Sequence, residues 1–74
     1  MRHQEPRDVA AGLVGLLLEQ AFMRARSSGC VLNVVKIDGV PHGASVPSDS
    51  PIINVVIEDG VVKQSYPMSV FHGV

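Results

Sequence analysis

The sequence predicts an α+β domain, with one N-terminal helix packed on a three- to four-stranded antiparallel sheet in the order α-β-β-β-β. Three observations predict it. An apolar segment of helical period fills the first third of the chain, two Asp-Gly dipeptides each sit between β-branched runs, and a Pro- and Ser-rich stretch separates those two units.

Residues 1–7 are polar, contain Pro6, and read as a loose arm. The helix is expected over residues 8–28. Asp8 is the candidate N-cap, its carboxylate near the orphan amides and the positive end of the dipole. Ser27-Ser28-Gly29 supplies the stop, with Gly29 suited to a left-handed cap, and Arg24 and Arg26 complement the negative end. Gly12 and Gly15 weaken the helix by about 1 kcal/mol each relative to Ala, so it must depend on packing.

At about 100° per residue, Val14, Leu17, Leu18, Ala21, Phe22 and Ala25 share one broad apolar face with Ala10 and Ala11. That face is assigned to the sheet. Asp8, Gly12, Gly15, Glu19 and Arg26 form a narrow polar strip. Val9, Leu13, Leu16 and Met23 then form a second apolar patch, which a helix covering one side of a sheet does not need. This patch is the candidate interface.

Residues 30–74 should form the sheet. Asn33-Val34-Val35-Lys36-Ile37-Asp38-Gly39-Val40 echoes Asn54-Val55-Val56-Ile57-Glu58-Asp59-Gly60-Val61, with a spacing of 21 residues and six of eight positions identical. Each unit ends in Asp-Gly, the signature of a two-residue type I′ hairpin, because both central positions need positive φ. Four strands follow, near Val31–Ile37, Val40–Val46, Ile52–Glu58 and Val61–Tyr66. In the second hairpin the loop pairs Glu58 with Val61, Ile57 with Val62, Val55 with Gln64 and Ile53 with Tyr66. Ile53, Val55, Ile57, Val62 and Tyr66 then face the core. The first hairpin is weaker, since Pro41 cannot donate to a ladder and Gly43 is a poor strand residue. Pro47–Pro51 is a turn. Met68, Val70 and Phe71 suggest a short strand or docked arm in the tail.

Seventy-four residues make a single small domain, 1–74, that buries about 60% of its unfolded surface and is marginal alone. Cys30 is the only cysteine, which excludes an internal disulfide and argues against a cysteine-based zinc site. Hydrophobic residues are 46% and charged residues 18%, below the roughly 25% charge usual for soluble domains. Oligomerisation is the remaining support, and a homodimer is the expected partner state, with another protein as the alternative. It would form through the helix patch or through a sheet edge.

Net charge is −1 with no basic stripe, so no nucleic-acid partner is expected. Val9–Leu18 is apolar but about half the length that spans a bilayer, and it lacks a basic leader, so no membrane partner is expected and the location reads as cytoplasmic. His3, His42 and His72 form no metal-binding spacing, and no metal or cofactor is expected. A Cys30–His42 pair lacks an orienting third group, so catalysis is not expected and no catalytic residue is assigned. Residues 39–45 form the best recognition loop, with Pro41 and His42 as contact candidates. The profile is that of a small interaction or regulatory module, such as an accessory protein of phages or mobile elements, by fold-level analogy. The alternative is a small-ligand domain with a pocket between helix and sheet or at a dimer interface.

Overall fold

The computed structural model describes residues 5–42 and 49–68. It has two short helices, α1 (Pro6–Ala11) and α2 (Leu18–Ser27), and four strands, β1 (Val31–Ile37), β2 (Val40–Pro41), β3 (Ile52–Glu58) and β4 (Val61–Pro67). The α+β class stands, but the single helix and the purely antiparallel sheet do not. The sheet order is β2-β1-β3-β4, with β1 parallel to β3 and the two hairpins antiparallel.

The expected helix over residues 8–28 is broken at its glycines. Glu5, in extended conformation, caps α1 and Pro6 opens it, where the missing N–H costs nothing. Asp8 is therefore inside the first turn, and Pro6 and Arg7 leave the expected arm for the helix. Gly12 closes α1, and Gly15 takes φ of +91°, which a continuing helix forbids. The break serves the sheet. Gly15 N–H donates to Val62 O at 2.9 Å, Val62 N–H to Leu16 O at 2.9 Å, and Leu18 N–H to Gly60 O at 3.1 Å. The connector thus covers part of the β4 edge and satisfies backbone groups that an uninterrupted helix would leave open. Gln20 Oε1 accepts from Leu17 N–H as α2 begins. Its C-terminus is a Schellman motif: Cys30 N–H donates to Ala25 O, Gly29 N–H to Arg26 O, and Gly29 sits at φ +78°.

Both hairpins have the expected turns, with positive φ at Asp38 and Gly39 and at Asp59 and Gly60. The unexpected step is between them. The repeated units lie side by side in parallel, so Val31 pairs with Ile52, Leu32 with Ile53, Asn33 with Asn54 and Val34 with Val55. Each pair is separated by the repeat spacing itself. Asn33 Nδ2 donates to Asn54 Oδ1 at 2.9 Å, so the repeated asparagine hydrogen-bonds to its own counterpart.

A β-bulge at Val35 then shifts the register, and Lys36 pairs with Val56 and Ile37 with Ile57. This shift is a stereochemical requirement. In a strand of L-residues, the face taken by a side chain fixes the side toward which its N–H and C=O point. Without the bulge, Ile37 would occupy the position of Glu58, and its backbone groups would aim at β3, where β2 cannot fit. The bulge turns Ile37 toward the opposite edge, and β2 pairs there with Ile37 opposite Val40. Asp38 N–H is left facing β3 and donates to Ile57 O at 2.8 Å.

A second bulge lies in β4. Glu58–Val61 and Ile57–Val62 pair as expected, but Lys63 is extra, so Val55 meets Ser65 and Ile53 meets Pro67. The expected Val55–Gln64 and Ile53–Tyr66 pairs are each displaced by one residue. Tyr66 consequently leaves the core face, and 44% of it is exposed. Pro67 takes its place opposite Ile53, and Ser65, opposite Val55, brings a buried hydroxyl with no hydrogen-bond partner. Of the expected Val40–Val46 strand, the described residues form β2 at Val40–Pro41. Residues 43–48, and the expected tail strand or arm beyond Met68, lie outside the described residues.

Both helices cover one face of the sheet. Val9, Leu13, Ala21 and Ala25 pack with Leu32, Ile53, Val55, Ile57 and Val62 in one aliphatic core. The shortest dimension of the fold is 16 Å, which among the described residues corresponds to one helical layer on one sheet.

Candidate interaction surface

The strand alternation that buries Ile53, Val55 and Ile57 against the helices sends Ile52, Asn54, Val56 and Glu58 to the opposite face. The register completes that face in rows. Val31, Ile52 and Met68 form an apolar row at one end, with Met68 N–H donating to Ile52 O. Asn33, Asn54 and Tyr66 form the next. Pro41, Lys36, Val56 and Gln64 form the third, and Glu58 with Val61 the last. Val31, Ile52 and Val56 are half-buried, and Asn54 is nearly enclosed in the centre. Its amide is matched by Asn33, so the middle of the face presents an internally satisfied polar pair in an apolar setting. At the far end Asp59 N–H donates to Asp38 Oδ1 at 2.9 Å, which ties the two turns together.

The structure corrects the helix patch. Val9 and Leu13, two of its four residues, are 4% and 0% exposed and belong to the core. Leu16 packs partly against that core, and only Met23 stands well into solvent, at 70%. The glycine break is the cause, because it ends the 100° progression at residue 12 and restarts it at residue 18. The same break leaves Val14, Leu17 and Phe22, expected against the sheet, about half exposed.

Pro41 and His42 are exposed at the β2 edge, and His42 N–H donates to Val35 O at 2.8 Å. Residues 43–45 of their loop lie outside the described residues, as do His3 and His72. Cys30 is buried at the end of α2, where desolvation pushes its thiol pKa upward. A raised pKa keeps the sulfur protonated and poorly nucleophilic. Among the described residues no three His, Cys, Asp or Glu side chains cluster in a metal-binding arrangement.

The helix–sheet interface contains fully buried Leu13, Ile53, Val55 and Val62. A cleft of about 370 Å³ lies at the sheet end, between Pro6, Pro51, Ile52, Pro67 and Met68, with Asp49 and Ser50 at its side. No family model, curated protein or solved structure matches the chain.

The open sheet face is hidden from a reading that takes one hairpin at a time. Alternation marks Val56, Glu58 and Val61 as outward-facing, but only parallel pairing of the repeats places Val31 and Asn33 beside them.

Proposed function

We propose that the protein is a small non-catalytic interaction or regulatory module that acts as a homo-oligomer, at its simplest a dimer, in the cytoplasm. The open sheet face carries this reading. The helices cover one side of a four-stranded sheet, and the other side keeps large aliphatic residues with an already paired amide between them. A 74-residue chain with one cysteine has few other means of adding buried area. Nothing in the net charge of −1 favours a nucleic-acid partner. Among the described residues no helix is long and apolar enough to cross a membrane. Sedimentation velocity between low and high micromolar concentration tests the reading. A mass rising from 7.9 kDa toward twice that value is expected, and a monomer throughout refutes it.

The second reading, a small-ligand domain, rests on the cleft beside Ile52 and Met68. Its shape and apolar lining suit a hydrophobic fragment. Fragment-induced shifts of the Ile52 and Met68 methyl resonances, without shifts at Val56 and Val61 toward the other end of the open face, would favour it.

A further inference from the structure

We propose that the open sheet face closes on the same face of a second copy, about a two-fold axis running along the strands between β1 and β3. This rests on the homo-oligomeric reading and specifies its surface. Of the other exposed apolar side chains, Val40 lies on the edge strand β2, and Val14, Leu17, Phe22 and Met23 lie on the helical layer. There the exposed charges Glu19, Arg24 and Arg26 stand among them. The sheet face is different. Its first two rows carry no charge, and Lys36 and Glu58 lie together toward the turn end, on neighbouring strands.

That placement selects the axis. A two-fold across the strands would lay Lys36 and Glu58 on the partner's Val31–Ile52–Met68 row, desolvating both charges against hydrocarbon. A two-fold along the strands lays each row on its own copy. Val31 then meets the partner's Ile52, the Asn33–Asn54 pair meets its equivalent, and Lys36 comes beside the partner's Glu58. The repeat makes this possible, because it puts equivalent side chains on both sides of the axis. Sheets packed face to face also keep their strands within about 30° of each other.

The area suits a weak dimer. Three seven-residue strands and the two-residue β2, at about 3.3 Å per residue and about 4.8 Å between strands, span roughly 360 Å² per copy in projection. That is about a fifteenth of the 5309 Å² total surface, and the roughly 700 Å² from two copies lies at the weak, transient end of protein interfaces. A micromolar dissociation constant is expected.

Charge swapping at Lys36 and Glu58 tests the face. Lys36→Glu and Glu58→Lys should each weaken the dimer about tenfold, the scale of replacing a partly exposed ion pair by a like-charge pair. The double variant should return to within about threefold of wild type. A dimer that neither single variant weakens overturns this interface while leaving self-association standing; a wild-type monomer at high micromolar concentration overturns both. Should a variant fail to fold, mixed-label NMR on the wild-type dimer decides the matter. Intermolecular contacts between Val31 and Ile52 methyls are expected, and a dimer without them refutes the proposal.

Discussion

Gly12 and Gly15 respond to alanine in opposite directions if the helix is broken where the structure breaks it. In one continuous helix both would sit in the interior, and each substitution would stabilise by about 1 kcal/mol. In the observed fold only Gly12 keeps a right-handed conformation, at φ −80°. A Cβ there would meet Val9 O at 3.5 Å and an Arg24 guanidinium nitrogen at 4.0 Å, ordinary contacts. Gly12→Ala should be neutral to mildly stabilising. Gly15 has φ +91°, and a Cβ added there would meet nothing within 4 Å, so its penalty is backbone strain alone. Left-handed backbone costs an L-residue roughly 1–2 kcal/mol. Gly15→Ala should therefore lower the melting temperature by roughly 4–16 °C, taking 4–8 °C per kcal/mol for a domain this size. Thermal unfolding by circular dichroism, at one fixed concentration because association shifts the midpoint, reads both variants. If Gly15→Ala raises the midpoint as Gly12→Ala does, the break and its pairing with β4 are refuted.

Four further outcomes follow from the packing. Leu13→Ala should cost about 2–5 kcal/mol in urea unfolding, as fully buried leucines do, whereas Met23→Ala should change stability by less than about 0.5 kcal/mol. Asn54→Ala strands the Asn33 amide and should destabilise by about 1–3 kcal/mol, while replacing both asparagines by Val should recover most of that loss. Ser65→Ala removes a buried hydroxyl that lacks a partner and should stabilise by roughly 0.5–1 kcal/mol; a loss in denaturant midpoint would show that the hydroxyl is satisfied. Burial raises the Cys30 pKa in the fold above its unfolded value. The protonated thiol thus contributes stability that is complete below the unfolded pKa, near 8.5, and lost as pH rises through the folded pKa. Wild-type melting should fall more steeply than that of Cys30→Ala above about pH 8.5, and equal slopes would contradict the shift.

The parts legible in the sequence are those set by local stereochemistry. Asp38-Gly39 and Asp59-Gly60 require positive φ wherever they stand, Gly29 suits a left-handed cap in any context, and the Val/Ile runs alternate in any sheet. The aliphatic core residues Ile53, Val55, Ile57 and Val62 follow from that alternation and are buried. Non-local choices are not legible. Whether the Gly12–Gly15 segment continues a helix depends on whether β4 offers its edge groups, and β4 lies more than forty residues away. Alternation alone puts Tyr66 in the core, but a single extra residue, Lys63, inverts every face beyond it. The candidate surface depends on the same kind of choice. An antiparallel meander and the observed parallel β1–β3 pairing share identical hairpins, and only assembly of the sheet brings Asn33 against Asn54. Sequence alone thus determined the turns, the strands and the apolar identity of the core, because each is decided within a few residues. The tertiary structure decided the helix break, the strand order, the bulges and the open face, because hydrogen-bond partners and facing sides are shared between segments distant in the chain.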